Sequence, residues 1–356
     1  MIEWLDDAGP VRDGEALDAG RIDAFLRARI DGLEGEPVIT QFPGGASNLT
    51  YLVRYANREL VLRRPPFGAR AKSAHDMLRE ARIMSALRPL YPLVPEVLAT
   101  SDDVDVIGCD FYVMQRIVGI IPRRDLPAGL GLDAAATRQL CTNVIDRLVE
   151  LHAIDIAKAG LGDIGRGEGY VARQLDGWSE RWHRAHTDDA ADFSRVIDWL
   201  GERRPAHDAA TCVIHNDYRF DNVVLAGDDP LRVIGVLDWE MATLGDPLMD
   251  LGNALAYWVQ ADDDAAFRRT RRQPTDAPGM LTRDEVVGWY AQRSGRPIAE
   301  FEFYRVFGLF RLAVIVQQIY RRFRDGHAAN PQFATFGAVA HLLGERCLTT
   351  IAAARD

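Results

Sequence analysis

The stretch VIHNDYRFDN places a histidine, two acidic residues, an arginine and an asparagine between two apolar runs. Within it, His215, Asp217 and Asn222 form the pattern H-x-D-x-x-x-x-N. The next apolar run, VIGVL, ends in DWE, which puts Asp238 and Glu240 at the carboxyl end of a predicted strand. Carboxylate and amide oxygens of this kind are suited to binding a hard cation, and a carboxylate can also accept a proton.

The segments NVVLA and RVIGVLD predict a hairpin joined by GDDP, which would bring Asn222 and Asp238 close together at one end. Mg²⁺ takes oxygen ligands and usually uses one or two carboxylates together with substrate phosphates. The sequence therefore predicts a magnesium site here, with Asp217 beside it to accept a hydroxyl proton. The alternative is an ordinary polar turn, because the pattern fixes three residues only. Like charges gathered at one sheet edge would, however, cost stability.

The elements that must position these residues are segregated along the chain. An amphipathic helix, EALDAGRIDAFLRARIDGL, precedes a hairpin of NLTYLVRY and ELVLR, the helix AHDMLREARIMSALRPL, and strands near DVDVIG and FYVMQRI. From about residue 131 onward the pattern is mostly helical, apart from the unit that runs from CVIH to RVIGVLD. This order predicts an α+β fold rather than a doubly wound sheet.

Length and composition limit the function classes. At 356 residues the chain is long for one hydrophobic core, so two lobes are expected. The net charge of −10 argues against a dedicated nucleic-acid-binding protein. No signal peptide is visible, and arginines interrupt the most apolar helical segment, so no membrane insertion is expected. Four cysteines without C-x-x-C spacing predict reduced thiols in a cytoplasmic protein.

Six motifs together resemble one family: IHNDYRFDN, VLDWEMATLGDPLMDLG, GGASNLTYLV, LVLRRPP, REARIMSALR and FYVMQRIVG. The chain is similar to the aminoglycoside phosphotransferase and choline kinase group of protein-kinase-like enzymes, and within it to the branch that also occurs fused to acyl-CoA dehydrogenases. The resemblance implies a bilobal fold. Residues 1–116 would form an N-terminal helix and a nucleotide-binding N-lobe, with a small antiparallel sheet and one main helix. Residues 117–356 would form a larger, mostly helical C-lobe. ATP would be the phosphoryl donor, Mg²⁺ the metal, and a hydroxyl of a small molecule the acceptor.

The same resemblance implies roles for residues of the C-lobe motifs. Asp217 corresponds to the catalytic base, and Asn222 and Asp238 correspond to magnesium ligands. Glu240 would contact a second ion or remain a surface carboxylate. Asp250, in GDPLMDLG, would brace the catalytic loop through backbone amides.

Two neighbours of Asp217 complete this loop. His215 would orient it rather than transfer protons. Asn216 stands where relatives usually carry glycine, and asparagine tolerates a left-handed backbone better than most residues, so the loop can still form.

The N-lobe motifs imply a nucleotide site. Gly44, Gly45, Ser47 and Asn48 would form the phosphate-covering loop, where glycines let backbone N–H groups approach phosphate closely. A simple tight turn is the alternative for two adjacent glycines.

A strand and a helix of the N-lobe would supply the remaining nucleotide contacts. Arg63 stands where the family usually has lysine, and an arginine can still hold phosphate with two hydrogen bonds. Glu80 would fix Arg63, unless the two form an unrelated surface pair. The backbone near Met114, Gln115 and Arg116 would bind adenine, or this strand is plain core.

The acceptor is less defined by the sequence. Six arginines lie on helices expected near the acceptor: Arg173, Arg181, Arg311, Arg321, Arg322 and Arg324. If several face the cleft, an anionic acceptor such as a hydroxy acid or a hydroxyacyl-CoA is favoured over an antibiotic; otherwise they form a solvated face. Two further classes stay open: a nucleotide-binding pseudokinase without turnover, and a protein kinase. The interpretation as a protein kinase is disfavoured because no A-P-E motif follows DWE.

Overall fold

The computed structural model describes residues 8–43, 48–67, 76–298, 300–328 and 330–354. The chain forms two compact units. The first contains Met1–Ile121, Ala157–Leu161 and Asn222–Ala242, and the second contains Pro122–Ile156, Gly162–Asp221 and Thr243–Asp356. The functional division at residue 116 stays a prediction.

The strands are β1 (Val38–Gln41), β2 (Leu49–Arg54), β3 (Glu59–Arg64), β4 (Val97–Ser101), β5 (Phe111–Gln115), β6 (Cys212–Ile214), β7 (Val223–Leu225), β8 (Val233–Val236) and β9 (Thr243–Gly245). The helices are α1 (Ala19–Arg27), α2 (Met77–Leu87), α3 (Val104–Ile107), α4 (Ala134–His152), α5 (Ile156–Ala159), α6 (Tyr170–Arg184), α7 (Ser194–Glu202), α8 (Pro247–Ala256), α9 (Ala265–Arg268), α10 (Arg283–Ser294), α11 (Glu302–Arg324) and α12 (Phe336–Ala353). The predicted α+β fold, with an antiparallel N-terminal sheet and a mostly helical remainder, is confirmed.

The first unit is built on a five-stranded antiparallel sheet in the order β1-β2-β3-β5-β4. Helix α1 begins where the Asp18 side chain accepts a hydrogen bond from the Arg21 N–H, and it buries Ile22, Phe25 and Leu26 in the core of this unit. These are the apolar positions that the 3.6-residue period predicts.

One predicted strand is wrong. DVDVIG alternates apolar and acidic residues, as a strand would, but Val104–Ile107 form the short helix α3. The Asp103 side chain caps its first turn, and Gly108 ends it at φ 82°, a left-handed conformation that glycine adopts without strain. The strand of this region lies earlier, at β4, and was not predicted.

The predicted hairpin is present in the first unit. β7 pairs antiparallel with β8, with Val223 opposite Val236. The N–H of Leu237 donates to the carbonyl of Asn222 at 2.8 Å. Asn222 and the residue before Asp238 are therefore direct neighbours across the ladder, as the pattern of apolar residues predicts.

The second unit is mainly helical and holds the two-stranded sheet β6–β9. Helix α11 packs closely against α8. A methyl group added to Gly308 would lie only 2.2 Å from the carbonyl oxygen of Gly252, so the two backbones can approach this closely only because residue 308 is glycine. This contact fixes α8, whose N-terminus is capped by Asp246. The four cysteines are free thiols. In the described residues, no helix is both long enough and apolar enough to cross a membrane.

Candidate active site

The carboxylate cluster of the first unit, which comprises Asn48, Arg63, Glu80, Asp238 and Glu240, is centred on Arg63. Its Nη1 donates to Oε1 of Glu80 at 2.9 Å, and its Nη2 donates to Oδ1 of Asp238 at 3.0 Å. The same Nη2 lies 3.7 Å from Oε2 of Glu240. One arginine thus connects three carboxylates from two separate segments of the chain, the helix α2 and the DWE segment.

The local structure explains how these groups meet. Arg63 lies on β3, opposite Tyr112 of β5, and Glu80 is in the first turn of α2 with only 1% of its side chain exposed. Between the two acids of DWE, Trp239 is fully buried and its Nε1 donates to the carbonyl of Val236. This anchor holds the segment that carries Asp238 and Glu240.

Asn48 and Glu240 contact each other within the carboxylate cluster. The side-chain nitrogen Nδ2 of the buried Asn48 donates to Oε2 of Glu240 at 2.6 Å. Gly44, Gly45 and Ser47, which were predicted to form the rest of the phosphate-covering loop, lie outside the described residues.

The electrostatics favour a permanently charged Arg63. Burial alone would lower the pKa of this guanidinium. The carboxylates of Glu80, Asp238 and Glu240 outweigh burial and raise the pKa of Arg63 well above its ordinary value. The cation predicted on β3 is therefore retained although it is not a lysine.

The donor chemistry of Asn222 and Asp238 fits Mg²⁺, which prefers oxygen ligands and needs only one or two carboxylates from the protein. The side chain of Asp238 is 34% exposed, so a carboxylate oxygen is accessible to an ion. Within the described ranges there is no cluster of three or more His, Cys, Asp or Glu residues arranged to hold a metal.

Two residues in this part of the sequence have unusual backbones. In the described part of the chain, Asn216 (φ 65°) and Asp238 (φ 68°) are the non-glycine residues with positive φ. Asparagine and aspartate tolerate this region better than other residues, but the conformation still costs of order 1–3 kcal/mol. A strained backbone persists only where the surrounding structure imposes it, and such residues are found most often at functional sites.

In the second unit, Asp250 holds the start of the loop that follows β6. The carboxylate Oδ2 accepts from the N–H of His215 at 2.8 Å, and Oδ1 accepts from the N–H of Asn216 at 2.7 Å. Asp250 is fully buried in the first turn of α8. Its two oxygens thereby fix the left-handed turn that directs Asp217.

A buried histidine supports Asp250 from the other side. Nε2 of His152, at the end of α4, lies 3.1 Å from Oδ2 of Asp250, and Nδ1 lies 2.7 Å from the hydroxyl of Tyr290. Burial alone would raise the pKa of Asp250. The hydrogen bond with His152 and the N–H of His215 outweigh burial and hold it below its ordinary value.

His215 has a structural environment. Its side chain is fully buried, and its ring meets that of Tyr218 edge-on with centroids 5.9 Å apart. Nδ1 lies 3.3 Å from the N–H nitrogen of Asp217. His215 is thus packed inside the second unit and contacts the backbone of the loop that carries Asp217.

Asp217 is engaged by Arg219, two residues further along the same loop. Nη2 of Arg219 donates to Oδ2 of Asp217 at 3.1 Å, and Nε lies 3.1 Å from Oδ1. Nε also lies 3.4 Å from Oδ1 of Asp221. Burial raises the pKa of Asp221, with Arg219 opposing this and the charge of Asp217 adding to it.

Of the six arginines considered for the acceptor, Arg311 is the one that is buried, and its Nη2 donates to the carbonyl of Asn216 at 3.1 Å. Arg324 pairs with Asp189 at 2.9 Å near the exposed end of α11. Arg321 donates to backbone carbonyls in its neighbourhood. Arg311 therefore supports the loop. Arg173 donates to the carbonyls of Glu168 and Gly167, and the guanidinium of Arg181 lies 4.7 Å from the centre of the Trp178 ring.

The predicted adenine segment ends β5. Met114 pairs with Val61 on one side, and the N–H of Gln115 donates to the carbonyl of Glu96 at 2.8 Å. Nη1 of Arg116 donates to Glu59 at 2.6 Å. The Gln115 N–H is thus already used inside the sheet, so a hydrogen bond to adenine would have to come from other backbone groups of this segment.

Sequence reasoning missed Arg219 and His152. Arg219 is part of the stretch VIHNDYRFDN, but no spacing rule indicates that an arginine in a loop will turn back to an aspartate. His152 is a lone histidine at the end of an amphipathic helix, where a core position is the more common explanation.

Comparison with known proteins places this chain among phosphotransferases. The model of the Phosphotransferase enzyme family (APH) matches residues 38–285. Acyl-CoA dehydrogenase family member 10 of Mus musculus is 32% identical over 339 residues, which cover 94% of this chain and 31% of that protein. The chain spans 31% to 44% of the length of the first curated relatives that it matches.

Solved structures give the same result for the fold. A candidate aminoglycoside phosphotransferase from Ralstonia eutropha JMP134 has a TM-score of 0.80 and 30% identity, covering 94% of this chain and 98% of its own. Choline kinase from Cryptosporidium parvum Iowa II has a TM-score of 0.65 and 13% identity, with coverage of 94% and 96%, and so supports the fold alone. The predicted kinase-like fold is confirmed.

Proposed function

We propose that this chain, which belongs to the phosphotransferase enzyme family, transfers the γ-phosphoryl group of ATP to a hydroxyl of a small molecule. The bond between the γ-phosphorus and its bridging oxygen breaks, a bond to the acceptor oxygen forms, and the hydroxyl proton passes to Asp217. The observation that carries this proposal is the set of contacts made by Arg63, which connects Glu80 of α2 with Asp238 of the DWE segment.

The proposed roles in the first unit follow from its geometry and charge. Arg63, held by Glu80, would bind phosphate oxygens of the donor with its planar guanidinium. Asn222 and Asp238 would hold Mg²⁺, which when bound would neutralise charge on the phosphate oxygens. Glu240 would approach a second ion or orient Asn48, which it already contacts.

Two other segments of the first unit would contact the phosphoryl donor, ATP. Gly44, Gly45 and Ser47 would cover the phosphates together with Asn48, and backbone groups near Met114 to Arg116 would bind adenine.

In the second unit, Asp217 would act as the general base, and its backbone is fixed by Asp250 through the N–H groups of His215 and Asn216. Phosphoryl transfer requires little covalent chemistry from the protein and depends on positioning and charge. A rigid loop with a carboxylate at its third position meets this requirement.

For the acceptor, we propose an anionic hydroxy compound, either a hydroxy acid or a hydroxyacyl-CoA, acted on by a cytoplasmic enzyme. The charges near Asp217 are balanced: Arg219 pairs with Asp217 and approaches Asp221, while Arg311 donates to the carbonyl of Asn216 and supports the loop. That balance lacks the excess of carboxylates that a polycationic aminoglycoside would need.

The proposal is tested by following ATP consumption with Mg²⁺ across aminoglycosides, amino alcohols, hydroxy acids and hydroxyacyl-CoA esters. With the acceptor found, Asp217→Asn should lower kcat by roughly 10²- to 10⁴-fold, the range of a lost general base, because an amide cannot take the proton. Its Mg·ATP binding should remain. Asp228→Asn, which changes an exposed acid paired with Arg232, is the matched control and should leave the rate unchanged.

Two outcomes would contradict the assignment. Loss of ATP binding in Asp217→Asn with a normal rate at saturation would make Asp217 a metal ligand instead of a base. Tight Mg·ATP binding without turnover on any acceptor would support the alternative, a nucleotide-binding pseudokinase.

A further inference from the structure

We propose that Arg219 is a positioning residue for Asp217: it fixes the carboxylate in the orientation that accepts the hydroxyl proton. This inference rests on the proposed function, and it deepens it by assigning a role to a residue of VIHNDYRFDN that the family resemblance left without one.

The two side chains form an ion pair that contains one hydrogen bond, from Nη2 of Arg219 to Oδ2 of Asp217. Nη2 and Nε of Arg219 each lie 3.1 Å from a different oxygen of Asp217. The charge-assisted hydrogen bond from Nη2 holds one carboxylate oxygen, and the close approach of Nε attracts the other, so rotation of the carboxylate is restricted. With 19% of Arg219 and 23% of Asp217 exposed, solvent competes only partly for these groups.

Arg219 is itself held in place. Its guanidinium carbon lies 4.8 Å above the centre of the Tyr257 ring, where a cation is attracted to the aromatic face. Nε lies 3.4 Å from Oδ1 of Asp221. The turn that carries Asp221 is fixed by Phe220, whose N–H donates to Oε1 of Gln273 at 2.8 Å.

These contacts form a chain of support. Tyr257 and Asp221 fix Arg219, and Arg219 fixes Asp217. The backbone of Asp217 is fixed independently, through the N–H groups that Asp250 binds. The loop backbone and the carboxylate thus have separate supports, and Arg219 can be altered without removing the first of them.

A different role for Arg219 would be direct binding of the acceptor. The two roles differ in how the effects of substituting Arg219 and Asp217 on the rate combine. A positioning residue acts only through Asp217, so its removal matters only while the Asp217 carboxylate is present. An acceptor-binding residue contributes whether or not the base is there.

A double-mutant cycle separates the two roles. We expect Arg219→Gln to lower kcat by about 10- to 100-fold, since a displacement of about 1 Å at a reacting group costs up to this much. The KM for ATP should stay within about twofold, because the donor contacts are not made by Arg219. Arg219→Lys should recover only part of the loss, since one ammonium cannot make both contacts.

In the Asp217→Asn background, Arg219→Gln should have no further effect on kcat. Arg138→Gln, which removes an exposed arginine from its pair with Glu285, serves as the control and should leave kcat unchanged. Additive losses in the double variant would overturn the positioning role, and so would an Arg219→Gln variant that changes KM for the acceptor but not kcat.

If the wild-type protein transfers no phosphoryl group to any acceptor, the proposed function fails, and crystal structures decide the positioning role instead. A displaced or multiply oriented Asp217 carboxylate in Arg219→Gln would support the role. An unchanged carboxylate would overturn it.

Discussion

The contacts of Arg63 lead to a prediction about stability that does not depend on finding the acceptor. In Arg63→Met the guanidinium is replaced by an apolar chain of similar length. Glu80, with 1% of its side chain exposed, then loses the cation at 2.9 Å and remains in the protein interior. Asp238 loses its contact too, but as a one-third-exposed group it gains hydration instead.

The magnitude follows from this difference in burial. Removing one partner of a buried ion pair typically destabilises a protein by about 3–5 kcal/mol, because the remaining charge is uncompensated. The contact with Asp238 adds about 0–1 kcal/mol, as for other pairs exposed to solvent. We therefore expect Arg63→Met to lower the free energy of unfolding of the first unit by about 3–5 kcal/mol.

Two companion variants make the reasoning specific. Arg63→Lys keeps a charge but cannot make both hydrogen bonds, so it should lose about 1.5–3 kcal/mol, the value of one hydrogen bond to a charged group. In Arg63→Met with Glu80→Met, no buried charge is left alone, and most of the lost stability should return. Arg232→Met, at an exposed pair with Asp228, is the control and should change stability by less than about 1 kcal/mol.

Hydrogen exchange of the amides of β3 and α2, measured with increasing urea, reports the stability of this unit separately from the rest of the chain. A loss below about 1 kcal/mol for Arg63→Met would refute the reasoning, because Glu80 would then be compensated by something other than Arg63. A double variant less stable than Arg63→Met would refute it as well.

Two further predictions concern the metal and the loop. Mg·ATP should stabilise the protein by roughly 2.7 kcal/mol at a hundredfold excess over its dissociation constant. Asp238→Ala should remove most of the Mg²⁺-dependent part of the thermal shift, whereas an unaltered Mg²⁺ dependence would exclude Asp238 as a ligand. Asp250→Asn should destabilise by about 1–3 kcal/mol, because one of the two N–H groups that Asp250 binds would face an amide N–H₂. Because the pKa of Asp250 is lowered in the folded protein, this stabilisation is fully present above its ordinary pKa of about 3.9. It should disappear as the pH falls through the lowered value. Urea midpoints from pH 3 to 7 that kept a constant difference would contradict this.

The parts of the fold that were predicted correctly are those in which local pattern and burial agree. β2 and β3 are short, largely buried runs on either side of a tight turn and pair as an antiparallel hairpin, and α1 buries Ile22, Phe25 and Leu26 at helical spacing. At DVDVIG the alternation of apolar and acidic residues wrongly indicated a strand. Asp103 caps a helix there and Gly108 ends it in a left-handed conformation, and these two local signals outweigh an alternation that extends over only four residues.

The candidate site shows a similar division between local and distant information. Asn222 and Asp238 could be placed together because a short hairpin joins them, and the ladder pairs Val223 with Val236. The contact between Asn48 and Glu240 joins residues 192 positions apart. No local pattern specifies such a pair, since it depends on how the sheet, α2 and the hairpin pack in the first unit.

Arg219 shows why even a short loop resists prediction from its residues. In a strand, Asp217 and Arg219 would share a face because side chains two positions apart point the same way. Here the loop begins with a left-handed turn at Asn216 and ends in a turn of 3₁₀ helix from Phe220, so neither strand nor helix spacing applies. Whether Arg219 reaches back to Asp217 depends on Asp221 and on the Tyr257 ring, and Tyr257 lies 38 positions further along the chain. The orientation of the proposed base is therefore a property of the folded second unit, although its identity is visible in ten residues of sequence.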